Sequence, residues 1–329
     1  MKFWKNWLAG AAFAAALVLP AAARAAGTGL IFVSNEKGAS ITVLNGKTYK
    51  RVAVIPTGNL PRGMAFNPAH TLLYVACGDS NEIDIIDVKT LKVVGRITKG
   101  VPDVEQVVVD PTDHYLYMTN ENNSAASVYD LKKKKIIAFT RVGEDPEMVF
   151  LTPGAKRIFI TAESTDMVNI LAVPSGKLLH TILTDQRPRR FALTPDHKFL
   201  WVSCEIAGLV DVIDFKTLKI VHRIRFAPEG FQKDQLSPVG LAILRDGKTG
   251  YVALGHADRV AVVNAKTLKV EKYLLTGHRP WMVTLTRNEH RAFVTNGESD
   301  DITVLNTKTN RVIRSIPVGR YPYGVIIDD

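Results

Sequence analysis

Cysteine is scarce in this chain of 329 residues, which contains only Cys77 and Cys204. No Cys-x-x-Cys-His sequence is present, so the usual covalent attachment of haem is excluded. There is also no His-Glu-x-x-His or His-x-His pair to indicate a catalytic metal. Beyond residue 26, no segment approaches the ~20 apolar residues that a membrane-spanning helix needs. The chain therefore lacks the signals of a c-type cytochrome, a zinc hydrolase of that class or a polytopic membrane protein.

The first 25 residues have the order of a secretory signal. Lys2 and Lys5 precede an apolar stretch over residues 7–19, and small residues follow up to Ala25. This order predicts a cleaved signal peptide at residues 1–25 and a periplasmic location, with an uncleaved anchor as the alternative. No transmembrane segment is expected in the chain after cleavage.

The chain is basic, but its positive charge is dispersed. Removal of Lys2, Lys5 and Arg24 with the signal lowers the formal charge from +10 to +7. The only dense cationic run, at residues 132–135, has no interleaved aromatic residues on which bases would stack. We therefore expect a solvated hairpin there and no nucleic-acid partner.

A proline recurs about every 42 residues and opens the same pattern each time. The series is Pro61, Pro102, Pro146, Pro188, Pro238, Pro280 and Pro322. Four short runs rich in Val and Ile follow, as at residues 62–66, 72–77, 83–87 and 92–97, and this is how antiparallel strands read. Four strands in each of seven repeats predict an all-β fold, a seven-bladed β-propeller, as a single domain over residues 26–329.

The two ends of the chain predict how the ring closes. The first unit, over residues 30–57, has three strands and lacks the strand that the proline opens, whereas residues 322–329 supply only that strand. The C-terminal strand should therefore complete the N-terminal blade and remove its free edge.

The second strand of each repeat carries a recognisable tetrapeptide. It reads Phe-Val-Ser-Asn at 32–35, Tyr-Val-Ala-Cys at 74–77, Tyr-Met-Thr-Asn at 117–120, Phe-Ile-Thr-Ala at 159–162, Trp-Val-Ser-Cys at 201–204, Tyr-Val-Ala-Leu at 251–254 and Phe-Val-Thr-Asn at 293–296. The chain thus resembles the YVTN β-propeller repeat family over essentially all of its mature length. An aromatic and a β-branched residue on opposite faces would both pack on neighbouring blades.

Cys77 and Cys204 occupy the same position of the tetrapeptide, three blades apart. In a seven-membered ring they lie on opposite sides, beyond the ~7 Å between Cα atoms that a disulfide permits. We therefore expect two free, buried thiols.

The loops that enter the innermost strands should crowd one mouth of the channel. Ten residues of these segments form the predicted ligand or partner site: Arg62, Glu105, Glu147, Arg187, Arg189, Arg190, Arg279, Trp281, Arg320 and Tyr323. Guanidinium groups bind carboxylates bidentately and stack on aromatic rings, so the set suits a flat anionic ligand. The alternative is that these arginines are solvated or pair with the two glutamates.

Two further features have a functional and a neutral interpretation. The insertion at residues 227–236 makes Phe231 a candidate lid over the channel mouth, or else it has no role. Four histidines, at positions 70, 114, 197 and 290, fall in turns on the opposite face. Metal binding needs convergence on one ion, so exposed turn residues are favoured and no metal site is predicted.

Within the YVTN proteins, the chain resembles exported seven-repeat propellers associated with catabolism that depends on pyrroloquinoline quinone (PQQ). That resemblance implies a non-enzymatic periplasmic binding or accessory protein beside an alcohol-oxidising quinoprotein and a transport system. We expect the protein to be a monomer. Its partner would be a periplasmic protein or a small anionic ligand; PQQ is a flat tricarboxylate and thus a candidate, although no cofactor is firmly implied. The resemblance brings no catalytic residues with it.

Two alternatives remain open. The first is a propeller enzyme. Quinoprotein dehydrogenases resemble one another in having larger, eight-bladed rings with tryptophan docking motifs, which this chain lacks. Lactonase-type propellers need a site for a divalent cation, and the positive charge of a mouth rich in arginine would disfavour cation binding. The second is a surface or adhesion module.

Overall fold

Residues 27–329 are described by a computed structural model as seven four-stranded antiparallel sheets arranged as the blades of a propeller. The seven-bladed prediction is confirmed. The innermost strands are β4 (Pro61–Phe66), β8 (Val104–Val109), β12 (Pro146–Leu151), β16 (Pro188–Leu193), β20 (Pro238–Ile243), β24 (Pro280–Leu285) and β28 (Pro322–Asp328). The second strands are β1 (Leu30–Asn35), β5 (Leu72–Cys77), β9 (Tyr115–Asn120), β13 (Arg157–Ala162), β17 (Phe199–Cys204), β21 (Thr249–Leu254) and β25 (Arg291–Asn296).

Two outer layers complete each blade. The third strands are β2 (Ser40–Asn45), β6 (Glu82–Asp87), β10 (Ala125–Asp130), β14 (Met167–Ala172), β18 (Leu209–Asp214), β22 (Arg259–Asn264) and β26 (Asp301–Asn306). The outermost are β3 (Arg51–Pro56), β7 (Lys92–Ile97), β11 (Lys135–Arg141), β15 (Leu178–Leu183), β19 (Lys219–Arg225), β23 (Lys269–Leu275) and β27 (Arg311–Pro317). Short 3-10 turns lie at Glu36–Gly38, Glu163–Thr165, Lys233–Gln235 and Gly255–Ala257. The predicted signal peptide lies outside the described residues.

Proline opens six of the seven innermost strands, but not β8. In the second blade, Pro61 at the start of β4 pairs with Cys77 at the end of β5. In the third blade, the residue at the start of β8 that pairs with the end of β9 is Val104, opposite Asn120. Pro102 lies two residues earlier, so its place in the proline series was wrong. The residue before each innermost strand has a positive φ in every blade: Leu60, Asp103, Asp145, Arg187, Ser237, Arg279 and Tyr321. This left-handed conformation is uncommon outside glycine, and its recurrence shows that all seven blades use the same turn.

The core lies between the blades, as the tetrapeptide predicts. Its first position is at most 4% exposed in every blade: Phe32, Tyr74, Tyr117, Phe159, Trp201, Tyr251 and Phe293. The following β-branched or Met side chain faces the other neighbour and is also buried. Each blade thus contributes apolar side chains to two interfaces, and the ring forms one domain. The run at 132–135 is the predicted hairpin, because Lys132 to Lys134 form the turn between β10 and β11.

The C-terminal strand closes the ring. β28 pairs antiparallel with β1, with Leu30 opposite Asp328. The Asp328 carboxylate then accepts hydrogen bonds from the Thr28 amide (2.7 Å) and hydroxyl (2.6 Å), and contacts His70 Nδ1 at 2.8 Å. One side chain therefore ties the C-terminus to the N-terminal segment and to the next blade.

The two cysteines are free and buried, as predicted. Burial raises the pKa of the Cys77 thiol to about 12, and the neighbouring Asp84 adds to the rise. Cys204 lies 3.5 Å from Asp211 Oδ2, and burial together with that carboxylate raises its pKa as well. Both are thiols rather than thiolates at neutral pH, which makes them poor nucleophiles.

Candidate functional site

The second residue of each innermost strand occupies the same level of the channel. These residues are Arg62, Glu105, Glu147, Arg189, Val239, Trp281 and Tyr323. Ion pairs and ring contacts connect nine of the ten predicted mouth residues into one set, which we call the mouth cluster. The exception is Arg320, which is exposed and belongs to none of the ion pairs among the described residues.

The Tyr323 hydroxyl is the centre of the mouth cluster. It lies 2.7 Å from Glu105 Oε1 and 2.7 Å from Glu147 Oε1, and it accepts a hydrogen bond from Arg190 Nη2. Tyr323 belongs to the blade that closes the ring, whereas its partners come from the third, fourth and fifth blades. The side chain therefore reaches across the channel and closes it at this level.

The carboxyl groups of Glu105 and Glu147 cannot both be ionised while both are hydrogen-bonded to the Tyr323 hydroxyl. A tyrosine hydroxyl has one hydrogen to donate, so it can satisfy only one of two ionised oxygens at 2.7 Å. The second carboxyl must carry a proton and donate it back to the hydroxyl oxygen. Glu105 and Glu147 thus share one proton between them.

Their surroundings decide which glutamate holds it. Burial, with repulsion from Glu147, raises the pKa of Glu105 to about 8. Burial opposes ionisation of Glu147 too, but Arg189 Nη2 at 3.0 Å and Arg190 Nη1 at 2.8 Å lower its pKa. At neutral pH, Glu105 is therefore the acid and Glu147 the carboxylate.

The structure adds four glutamates that sequence reasoning missed. Each directly follows the tetrapeptide of the second strand: Glu36, Glu121, Glu163 and Glu205. Because the second strand runs antiparallel to the first, its end lies beside the start of the innermost strand and so at the same mouth. A glutamate after the tetrapeptide in four of seven repeats was the available signal.

These glutamates neutralise the arginines. Arg62 pairs with Glu36 (3.3 Å), Glu121 (3.3 Å) and Glu105, and Arg189 pairs with Glu163. Six carboxyl groups thus face the guanidinium groups of five arginines, and the proton held by Glu105 balances the charge. The mouth is rich in arginine, as expected, but has no net positive charge when counted over these side chains.

One part of the mouth cluster borders a cavity. Glu205 contacts Arg279 Nη2 at 3.0 Å and the Ser237 hydroxyl at 2.7 Å, and its pKa is lowered because its positive neighbours outweigh the opposing effect of burial. Arg187 Nε lies 3.2 Å from the same carboxylate. A cavity of about 280 Å³ lies here, lined by Arg187, Glu205, Ile206, Asp234, Ser237, His256 and Arg279. Burial and the charge of Arg279 lower the pKa of His256, so that its imidazole is neutral at pH 7.

Trp281 forms the aromatic side of the cluster. The Arg279 guanidinium carbon lies 4.6 Å from its ring centroid and that of Arg189 at 5.6 Å, within the range of cation–π attraction. The Tyr323 ring lies 5.9 Å away. The indole therefore contacts two arginines and is only 9% exposed, so it offers little surface to a flat ligand.

The insertion contributes to the cavity through Asp234 rather than Phe231. The Phe231 ring is half-buried against the apolar cluster between the fifth and sixth blades, with the Arg259 guanidinium carbon 4.7 Å from its centroid. The Phe231 ring therefore packs on a flanking interface and is not among the residues that line the cavity.

The four turn histidines do not converge. His70 stacks on Phe66 with ring centroids 4.6 Å apart, and His114 Nε2 lies 3.3 Å from Asp130. His197 and His290 line separate cavities. Over residues 27–329, no group of three or more His, Cys, Asp or Glu side chains is arranged to hold a metal ion. The same residues contain no helix long and apolar enough to span a bilayer.

Comparison with known proteins identifies the family. Residues 7–325 match the model of the YNCE-like beta-propeller family. The chain belongs to this family. A search of curated proteins gave no match.

Solved structures share the fold at low sequence identity. A protein from Lactobacillus plantarum superposes with a TM-score of 0.79 at 16% identity, over 91% of this chain and 99% of its own. A functionally unknown protein from Desulfotomaculum acetoxidans gives 0.76 at 19%, over 91% and 99% of the two chains. Kuenenia stuttgartiensis hydrazine synthase gives 0.75 at 20%, over 85% and 92%. At these identities the likeness extends to the fold alone.

Proposed function

We propose that this YNCE-like propeller is an exported, non-enzymatic binding protein that holds a small anionic compound at its channel mouth. The observation that carries the proposal is Arg279 Nη1, which is buried and has no hydrogen-bond partner among the described residues. An unmet guanidinium N–H costs free energy, and a carboxylate oxygen would satisfy it with a charge-assisted bond. Arg279 lines the 280 Å³ cavity together with Arg187.

The charge balance of the mouth cluster defines how such a ligand would bind. Because Glu205 already neutralises part of the positive charge, binding of an anionic ligand depends on hydrogen bonds from the arginine N–H groups rather than on a net positive charge at the mouth. The cavity is at the small end of the ~300–1,000 Å³ typical of ligand sites. It therefore suits one carboxylate with a compact body, and a larger ligand would extend over Ile206, which is 56% exposed at its border.

The finer proposal concerns PQQ. The resemblance to propellers of PQQ-dependent catabolism supports a periplasmic accessory role beside an alcohol-oxidising quinoprotein and its transport system. PQQ carries three carboxylates, one of which would meet Arg279 and Arg187. A periplasmic protein that presents an acidic side chain is the other partner with this chemistry.

Titration calorimetry with PQQ and with citrate, a tricarboxylate without rings, tests this function. Arg279→Gln should weaken binding about tenfold to a hundredfold, because one charge-assisted hydrogen bond contributes ~1.5–3 kcal/mol. Arg320→Gln is the matched control, since it removes the same charge from the same face outside the cavity. Citrate binding without PQQ binding would reject the quinone but keep the anion site. The proposed anion site would be refuted if neither ligand gave a heat of binding, or if Arg279→Gln and Arg320→Gln weakened binding equally.

The enzymatic alternative has one observation in its favour. A buried carboxyl with a pKa of about 8, as at Glu105, is the kind of group that serves as a general acid. A screen of lactones and alcohols with added calcium, repeated with Glu105→Gln, would reveal such activity by its loss in the variant.

A further inference from the structure

A second cavity lies within the channel itself, below the level that Tyr323 closes. Its volume is about 400 Å³, within the ~300–1,000 Å³ of small-molecule sites. The innermost strands of five blades line it, and the side chains that give it its character are Met64, Gln106, Met148, Phe150 and Met282. Most of the remaining lining is aliphatic, so the channel cavity is predominantly apolar.

The channel cavity is bounded by the mouth cluster at one end. Arg62 and Tyr323 form that boundary, and both are engaged in the ion pairs and hydrogen bonds of the cluster. Phe150 and Leu151 line the channel cavity and also a neighbouring cavity of about 440 Å³ that extends to His197, in a turn of the opposite face. Phe150 and Leu151 therefore lie between the channel cavity and a cavity that reaches the face opposite the arginines.

Gln106 supplies an uncharged directed donor within this cavity. Its side chain is buried at 8% exposure, and its Oε1 accepts a hydrogen bond from the Val107 amide at 3.1 Å. The partner of Nε2 is the Met148 thioether sulfur at 3.5 Å, a weak acceptor. The amide N–H groups thus retain capacity for a stronger acceptor.

Gly63 holds this amide in place. A Cβ at residue 63 would lie 1.9 Å from Gln106 Oε1, so only glycine leaves room for the amide in its observed position. The position of the Gln106 amide on β8 therefore depends on the missing side chain at Gly63 on β4.

We propose that the channel cavity binds a small, uncharged, mainly apolar molecule with one hydrogen-bond acceptor, which Gln106 Nε2 recognises. An ionised ligand is disfavoured because the charged group at the boundary, Arg62, is already paired with glutamates. The thioethers and Phe150 provide polarisable contact area for an aromatic or aliphatic body. A carbonyl or ether oxygen then satisfies the glutamine better than sulfur does.

The test compares acetophenone with ethylbenzene, two molecules of similar shape of which only the first has a carbonyl acceptor. The wild-type protein is labelled with ¹³C at its methionine methyl groups, and both ligands are titrated while NMR spectra are recorded. We expect the signals of Met64, Met148 and Met282 to shift, whereas that of Met118, buried in the core between blades, stays fixed. Acetophenone should bind about tenfold more tightly, the equivalent of one ordinary hydrogen bond.

Gln106→Met should abolish the preference for acetophenone while leaving ethylbenzene binding unchanged, and Gln186→Met, at an exposed glutamine, is the matched control. Absence of shifts with either ligand, or shifts that include Met118 equally, would overturn the site. Equal affinities in the wild-type protein would overturn the role of Gln106, and this comparison stands even if the variant fails to fold. The outcome is independent of the anion site, because neither ligand is charged.

Discussion

Replacement of Glu105 by glutamine should remove a pH dependence from the stability of the propeller. An amide resembles the protonated carboxyl in shape: its NH₂ can donate to the Tyr323 hydroxyl, and its oxygen can still accept from Arg62. Glu105→Gln therefore keeps the contacts of the acid form and removes only the ionisation. The variant should be within about 1 kcal/mol of the wild type at pH 5 and clearly more stable at pH 8.

The sign and size follow from the raised pKa. Glu105 titrates at about 8 in the folded protein and near ~4.3 when unfolded, so the folded state binds the proton more tightly between these values. Its contribution is present below pH ~4.3 and is lost as the pH rises to about 8, at up to ~1.4 kcal/mol per pH unit. From pH 5 to 7 the wild type should lose at most about 3 kcal/mol through this group.

Urea unfolding at 25 °C, followed by tryptophan fluorescence at pH 5, 6, 7 and 8, measures the difference between the two proteins. Glu147→Gln is the matched control, because Glu147 is ionised and paired with Arg189 and Arg190. It should destabilise the fold throughout this range by about 3–5 kcal/mol, the cost of breaking a buried ion pair. The assignment of a shared proton would be refuted if Glu105→Gln were as destabilising as Glu147→Gln at pH 5. It would also be refuted if Glu105→Gln left the pH dependence of the free energy of unfolding unchanged.

Two further predictions concern ring closure and the thiols. Asp328→Ala should cost about 1–3 kcal/mol, because two donors of Thr28 lose their acceptor, and hydrogen exchange should then accelerate in β1 and β28 before it does in the other blades; uniform exchange would contradict a local latch. Cys77 and Cys204 should fail to react with Ellman's reagent in the folded protein at pH 8 and should both react in denaturant, so rapid labelling of either native thiol would refute their burial.

The repeat pattern of the sequence predicted most residues of the mouth cluster but not their charge balance. The proline series identified the segments that carry Arg62, Arg189 and Tyr323, because a strand that begins at one mouth places its second residue there in every blade. It missed Glu36 and the three equivalent glutamates, since these follow a different strand and join the mouth only through antiparallel pairing. The packing of Phe231 between two blades was likewise not predictable, because composition alone does not show which interface takes up an aromatic ring.

The sequence by itself determined the architecture of this propeller. Periodicity, the tetrapeptide and the incomplete first and last units are local and repeated, so they predict strand number, blade number and ring closure without any distance. Only the tertiary structure decided how charge is distributed at the mouth and where space remains. Tyr323 meets Glu105, Glu147 and Arg190 across the channel although these residues are 133 to 218 positions away in sequence. Such pairings depend on side chains converging from different blades, and no periodic pattern encodes their distances, their shared proton or the cavity below them.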